Sequence, residues 1–393
     1  MQGIATSVFL NSFGTTSVNQ GITVKELKLQ MLMPGSFNHN SINTGLDELQ
    51  NKAYYLHYSQ TGGSEQRFWF HTKPNLNILV NNALSEIKNE RIESNIINLL
   101  ERNCRNVSIL KILIDPKGEV PEQKTLSLVI LHPSLYRNGN RKFDDVITEI
   151  ALRKGSTDRI YRNTILFLSV SSHGRLALYN EVKEYLACIK IEEEYRTTLE
   201  QDQKRELKTR IDEAERKMQR ELVTAYGSIH KYSASKGIQT YEVRQFAESL
   251  DRQISINIYA KLKDEELLLE SIGLNTLRKN NLLPVDGNPV QVTRVVEAFI
   301  RFDDKPMITD RSAVKDSLTK YCYNKQFAIA SRSSKGWTQM FFGNTVPMFD
   351  VEDETYWLVS PADYEEWRKE KESAASDTST VTKPAEPGGN GNI

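Results

Sequence analysis

The sequence predicts a multidomain chain of the α/β plus α-helical class, and three observations predict it. Apolar, β-rich runs at Val107 to Ile114, Leu126 to Leu131 and Thr164 to Val170 surround a helical pattern, as in a small sheet buried on both faces. Beyond them, Leu207, Ile211, Ala214, Met218, Leu222 and Ala225 keep the four-three spacing of a coiled-coil seam. Ahead of them, residues 1–88 give three helical patterns and then two alternating strands.

Taken in order, Ile4, Val8, Phe9 and Phe13 lie near helical spacing, and Asn11-Ser12-Phe13-Gly14 ends that helix. Thr23-Val24-Lys25-Glu26 has the spacing of a capping box, in which hydroxyl and carboxylate satisfy the free N–H groups of a helix start. Leu27, Leu29 and Met31 follow, before Pro34-Gly35 stops the helix. Ile42, Leu46 and Leu49 put one apolar face on a third helix. Strands at Tyr54 to Tyr58 and Arg67 to His71 join through Thr61-Gly62-Gly63-Ser64, and three helices followed by such a hairpin are the layout of a winged-helix domain. A further helix begins at Pro74-Asn75.

The α/β segment takes its helix from Phe143 to Leu152. Leu176 to Ile191 is amphipathic, and Leu199-Glu200-Gln201-Asp202 makes a corner before the heptad-like run, so an antiparallel helical hairpin is expected to project from the α/β domain. Helices are then expected around Val243 to Leu250 and Asp264 to Ile272. Val292, Val295, Val296, Phe299 and Ile300 open a last unit, with Thr309-Asp310 capping a second helix. Strands at Phe327 to Ala330, Trp337 to Phe342 and Tyr356 to Val359 give it a wing-like end. From Ser373 the composition turns to Ser, Thr, Pro, Gly and Asn, which is a disordered tail on composition. The expected division is 1–88, 89–233, 234–372 and 373–393.

Composition narrows the function classes. Lys+Arg and Asp+Glu stand at 51 each, so no global basic field draws the chain to nucleic acid, and any such contact has to be local. Cys104, Cys188 and Cys322 are far apart in apolar or amphipathic stretches, which reads as buried thiols rather than a disulfide framework or a zinc site. Met1-Gln2-Gly3 leads into only a short apolar run, and no apolar stretch reaches the length of a membrane span. A cytoplasmic protein without a membrane partner is expected.

Glycine followed by lysine occurs nowhere in the chain, which excludes a G-x-x-x-x-G-K-[ST] phosphate loop. Ser235-Lys236-Gly237 and Ser334-Lys335-Gly336 reverse the order. Asp115, before Pro116-Lys117-Gly118, is turn chemistry rather than a metal-holding strand end. His132, His173 and Ser171-Ser172-His173-Gly174 come without a partner motif. No catalytic, cofactor-binding or metal-ligating residue is therefore assigned. If the first unit meets DNA, its third helix enters the major groove and its wing touches the backbone. Lys25, Lys28, Asn40, Asn43, Lys52, Arg67 and Lys73 are the candidate contacts, amides for base edges and cations for phosphates. Arg159 and Arg162, just before a buried strand, are candidates for an arginine finger toward a neighbouring chain's phosphates. Trp337, Phe341, Phe342 and Trp357 read as core, with Arg332 and Lys335 beside them leaving base stacking as the other reading.

Four phrases carry a family resemblance: Ile4-Ala5-Thr6-Ser7-Val8-Phe9-Leu10-Asn11-Ser12-Phe13-Gly14, Phe68-Trp69-Phe70-His71-Thr72-Lys73-Pro74-Asn75-Leu76-Asn77, Arg162-Asn163-Thr164-Ile165-Leu166-Phe167-Leu168 and Tyr185-Leu186-Ala187. In that order they resemble the C-terminal half of the large predicted AAA+ ATPases classed as domain of unknown function 499, from near Met1 to about Pro361. Members of that family are often encoded in prokaryotic defence islands beside methyltransferases, helicases and nucleases. The resemblance implies a non-catalytic regulatory portion, DNA-facing or partner-facing, in a DNA-related or phage-defence system. It places the Walker loop and acidic strand ahead of the first phrase, so ATP and Mg would belong to a missing or separate ATPase half. A split gene and a two-polypeptide system both satisfy that. The partners implied are double-stranded DNA, the ATPase half or an enzyme of the same system, and a second copy of the chain. From another class come a freestanding winged-helix DNA-binding regulator and an assembly scaffold acting through the hairpin. Purified chain assayed with Mg and ATP should release phosphate at the background rate; turnover that tracks the protein through purification would overturn the non-catalytic reading.

Overall fold

The computed structural model describes residues 1–13, 20–32, 38–59, 66–72, 74–116, 120–137 and 141–378. The fold is mixed α/β with several small sheets, about 51% helical. The chain divides into two compact units, Met1–Leu100 with Ser172–Ala225, and Glu101–Ser171 with Tyr226–Ile393. No helix among the described residues is long and apolar enough to cross a membrane.

In the first unit, helices Gln2–Leu10, Val24–Met31 and His39–Lys52 precede strands Leu56–Ser59 and Arg67–Phe70. Ile4, Val8, Leu27, Ile42, Leu46 and Leu49 are buried in one core with Ile22, Leu56 and Phe68. A two-residue strand, Ile22–Thr23, runs antiparallel to Arg67–Phe70, which lies between it and Leu56–Ser59. Gly21 permits this. Its φ is +80°, and a Cβ there would sit 2.2 Å from the Phe68 carbonyl oxygen. The capping box forms as its spacing predicts: the Glu26 N–H donates to Thr23 Oγ1 at 3.1 Å, and the Thr23 N–H donates to Glu26 Oε2 at 2.9 Å. Those bonds, first of all from the Thr23 backbone, hold the Glu26 carboxyl below its ordinary range.

Helix Leu76–Glu86 packs along helix Ser172–Tyr195, which packs in turn along Gln201–Ala225. Leu178, Val182, Leu186 and Ile191 on one helix, and Leu207, Ile211, Ala214, Met218 and Leu222 on the other, are buried. Polar ties fix the register: Gln203 Nε2 donates to the Pro74 carbonyl at 3.2 Å, Arg210 bonds Asn77 and Glu206, and Lys190 bonds Glu86.

The second unit holds a five-stranded sheet in the order Gly237–Glu242, Ser228–Ser233, Ile165–Ser169, Ser127–Ile130, Lys111–Ile114. The last three strands are parallel to one another, and the first two form an antiparallel hairpin added to them. Ser127–Ile130 and Ile165–Ser169 are buried along their whole length, as continuous apolar strands require. Helix Arg141–Leu152 covers one face through Phe143, Ile147 and Ala151. Helices Val292–Arg301 and Arg311–Tyr323 share a second core with one face of a four-stranded antiparallel sheet, ordered Val290–Gln291, Tyr356–Val359, Ala328–Ser333, Gly336–Phe341. Asp310 caps the second of those helices through the N–H groups of Ser312 and Ala313.

One expectation of grouping needs correction, since the helical hairpin, Ser172–Ala225, clusters with Met1–Leu100 and not with the α/β segment of 89–233. Three expectations along the chain do too. Residues 243–249 are not helical, and the helix begins at Leu250 and runs through a π segment, Gln253–Ile258, to Asp264. Leu268–Leu269 is a strand paired with Met307–Ile308, not the end of a helix. The buried residues explain the first: Leu250, Ile254, Ile258 and Leu262 repeat every four positions, a spacing that drifts round an ordinary α-helix by about 40° per step and that a π turn absorbs. The second follows from Glu266, whose φ of +54° ends the helix before Leu268. The third concerns the end of the chain, where helix Pro361–Thr378 continues past Ser373 and residues 379–393 lie outside the described residues. Replacing Thr23 with alanine should remove the side-chain half of the capping box and lower unfolding stability by about 1 kcal/mol in urea titration. Glu26→Gln, which keeps an acceptor, should cost less.

Candidate nucleic-acid interface

The third helix of the first unit turns Ile42, Gly45, Leu46 and Leu49 inward, so Asn40, Asn43 and Asp47 fall on its outer side. Asn38 is its N-cap, accepting from the Ser41 N–H at 2.8 Å, which leaves His39 and Asn40 as the first exposed helical residues. Asn40 and Asn43, three apart and both exposed, offer two carboxamides on one face. Asp47 continues that face one turn later. It adds an acceptor suited to a cytosine amine and a charge that repels phosphate.

The cations are dispersed. Lys25 is exposed on the second helix, and Lys28, one turn on, is half-buried. Lys52 is turned along its own helix to Glu48, 3.3 Å away, an exposed pair that a phosphate can displace at small cost. Arg67 donates from Nη1 to the Gly21 carbonyl at 3.2 Å and lies near Glu26, so it braces the short strand. Lys73 lies outside the described residues. The remaining candidates thus share one unit, with the amides on its third helix and the two lysines on its second.

Arg159 and Arg162 belong to the other unit. Arg159 is 2% exposed, and its guanidinium donates to the carbonyls of Ile150 at 3.0 Å, Val120 at 2.8 Å, Arg153 at 3.2 Å and Pro121 at 3.4 Å. Burial pulls its pKa down, against the pull of Glu122. All of that donor capacity is turned inward, holding the ends of helix Arg141–Leu152 and of the segment before Ser127–Ile130 to each other. Arg162 is half-buried and donates to the Arg159 carbonyl at 3.1 Å.

Sequence reasoning missed a polar relay in the second unit. Ser169 Oγ and His230 Nε2 are 2.8 Å apart, His230 Nδ1 and Thr240 Oγ1 2.9 Å, and Arg137 donates to that threonine. The pairing looks like a nucleophile and its base, but Ser169 and His230 are both fully buried, and Phe143 stands edge-on over the imidazole at 5.0 Å. With no access for a substrate, the relay is a strand-to-strand clasp. Among the described residues no group of three His, Cys, Asp or Glu could hold a metal ion. No protein-family model matches this chain, and no curated protein and no solved structure does.

Burial first, and the Arg137 charge second, pull the His230 imidazole down to about 4 from 6.5. A histidine with a lowered folded pKa stabilises the fold fully above its unfolded value and loses that contribution as pH falls toward the folded one. Urea titrations should show about 3 kcal/mol lost between pH 6.5 and 4 beyond the loss seen in His230→Gln. Parallel profiles for the two proteins would show that the imidazole is not the titrating group.

Proposed function

We propose that the first unit is a winged-helix module that docks on duplex DNA, and that the chain is a non-catalytic, DNA-facing component of a larger assembly. One observation carries the reading: the order helix, short strand, helix, helix, strand, strand, with the short strand pairing against the last, leaves the third helix's amide face of Asn40 and Asn43 unpacked. That order is the winged-helix arrangement, in which the third helix is the one that enters the major groove. Asparagine reads adenine through its paired N6 and N7, so the face suits A·T steps, and Asp47 suits a neighbouring C. Lys25 and Lys28 would contact phosphate. With so few cations, binding relies on an ATPase partner, as the family resemblance would supply, or on more than one copy for strength.

A second reading turns the same unit toward a protein, and one observation favours it. Phe9, Leu10 and Phe13 on and after the first helix are 48%, 65% and 63% exposed, with the two phenylalanine rings edge-to-face at 4.7 Å.

The test is titration of full-length chain with a fluorescent duplex at several salt concentrations. A Kd of about 10 μM near physiological salt is expected, weakening as salt rises with a slope of about −2. Lys25→Ala with Lys28→Ala should flatten that slope by about 2, uniformly across sequences. Asn43→Ala should narrow the difference between preferred and random duplexes by about 1 kcal/mol or more, and Asp47→Ala should tighten binding to random duplex. A chain indifferent to duplex at the lowest salt would transfer the unit to the protein-facing reading.

A further inference from the structure

The second unit carries an open sheet edge beside a polar cleft. Gly237–Glu242 is the terminal strand of the five-stranded sheet. Antiparallel ladders alternate between residues that exchange hydrogen bonds with the neighbour and residues whose N–H and C=O point away from it. The Val243 N–H donates to the Gly227 carbonyl at 2.9 Å, which fixes the phase: Tyr241 and Gln239 bond inward to Ile229 and Lys231, while Ile238, Thr240 and Glu242 direct their main-chain groups outward. Side chains confirm the phase. Outward-bonding positions bring cross-strand side chains closest, and His230 Nδ1 meets Thr240 Oγ1 at 2.9 Å while Ser228 Oγ donates to Glu242 Oε2 at 2.9 Å.

A cleft of about 630 Å³ lies between the end of this strand, Thr240 to Gln245, and one side of the helix that ends at Asp264. The size suits a small ligand or a few residues of peptide. The helix wall is set by Asn257, whose Nδ2 donates to the Gln245 carbonyl at 3.2 Å, and by Glu265, which faces Tyr241, so helix and strand run in opposite directions along it. Tyr241 to Gln245 extended is about 13 Å, and Asn257 to Glu265 along a helix is about 12 Å, so the two walls match over four or five residues of extended chain.

A helix that only shielded a sheet edge would lay an apolar stripe on it. This one turns its apolar stripe of Leu250, Ile254, Ile258 and Leu262 elsewhere, and lines the cleft with Asn257, Ala260, Lys261 and Asp264. Those positions are one helical face, with the smallest side chain in the middle. Lys261 is tied to Glu265 at 2.6 Å. Arg244 and Asp264, both exposed and toward opposite ends of the cleft, make no ion pair among the described residues.

We propose that this cleft takes an extended peptide segment of another protein as a sixth strand, hydrogen-bonded to the outward main-chain groups of Thr240 and Glu242, with an acidic side chain toward Arg244 and a basic one toward Asp264. Main-chain bonds supply affinity, and the two end charges set register and direction. This is a separate site from the DNA face of the first unit and stands or falls independently of it.

The test uses full-length chain and two synthetic peptides of opposite polarity, acetyl-Glu-Thr-Val-Thr-Lys-amide and acetyl-Lys-Thr-Val-Thr-Glu-amide, followed by amide hydrogen exchange. Saturation with one of the two should slow exchange at Thr240 and Glu242 at least fivefold and leave Gln239 and Tyr241 unchanged. The same peptide N-methylated at its central residues should bind at least tenfold more weakly, which tests main-chain pairing without altering the protein. Glu242→Pro removes an outward N–H while sparing the inner ladder and should weaken binding at least tenfold; Glu242→Gln, which keeps the Ser228 contact, should stay within twofold. No slowing with either peptide at millimolar concentration overturns the proposal, as does equal binding of the N-methylated peptide. Protein-concentration-dependent slowing of the same amides without peptide would assign the edge to a second copy and overturn it too.

Discussion

The second unit depends on how the segment after helix Val292–Arg301 is held. Lys231, on the middle of a buried strand, donates from Nζ to the Asp303 carbonyl at 2.6 Å and the Lys305 carbonyl at 3.2 Å, and is only 5% exposed. Asn163, ahead of the neighbouring strand, donates from Nδ2 to the Phe299 carbonyl at 2.7 Å and the Pro306 carbonyl at 3.1 Å. The Phe299 carbonyl is among the last of its helix and has no partner within that helix, so these side chains supply what the helix end lacks. Burial lowers the Lys231 ammonium to about 8, against the pull of Asp303 and Asp304, so the ion is retained at neutral pH at a real desolvation cost. The return is position: two strands of the five-stranded sheet and the helical core of the C-terminal segment share one set of carbonyl contacts. Arg159 does the same with four carbonyls, those of Ile150 and Arg153 at the C-terminal end of helix Arg141–Leu152 and those of Val120 and Pro121 before the next strand. Buried donors gripping main-chain oxygens, rather than apolar contact alone, set the geometry of this unit.

That economy explains why the chain's most conspicuous polar groups are not chemistry. The serine–histidine pair, the buried lysine and the buried arginine each have the partners that a catalytic group would need, and each spends them on a neighbouring strand or loop. What remains exposed includes the carboxamides on the third helix of the first unit and main-chain groups on one sheet edge of the second, the two surfaces proposed above for recognition.

Much of the fold was legible wherever one face of an element is buried and the other is wet. The third helix with Ile42, Leu46 and Leu49 and the hairpin seam from Leu207 to Leu222 were of this kind, while the strands at Leu128 and Leu166, buried on both faces, were legible as continuous apolar runs. The capping box at Thr23 was legible because its chemistry is local. Ser228–Ser233 and Gly237–Glu242 were not, although Ala234-Ser235-Lys236 is a turn and Gly237 after it adopts φ +67°. Ser228–Ser233 is buried by groups distant in sequence, so polar His230 and Lys231 sit where a continuous apolar run is expected, and Gly237–Glu242 has no fully buried residue to announce it. The helix from Leu250 to Asp264 was misplaced because its buried residues recur every four positions, which a search for 3.6-residue periodicity discounts. Of the candidate contacts, Lys25, Asn40 and Asn43 could be read as exposed from helical phase alone. The roles of Arg67 and Arg159 could not, since their acceptors, Gly21 and Val120, are fixed only by tertiary folding.

The path of the chain also governs the order in which it can be made. The first unit takes in Met1–Leu100 and returns for Ser172–Ala225, while the second uses the intervening stretch and everything after. As the polypeptide leaves the ribosome, helix Leu76–Glu86 emerges with Leu76, Leu79, Val80 and Ala83 uncovered until the helix that packs on it, Ser172–Tyr195, has been synthesised. The parallel strands likewise wait for Ser228–Ser233 before their exposed edge is closed. At elongation rates of about 5–20 residues per second, that interval lasts several seconds. The first unit is therefore complete only at Ala225 and the second only after it, and a break anywhere in residues 101–171 would part helix Leu76–Glu86 from the helix that packs on it.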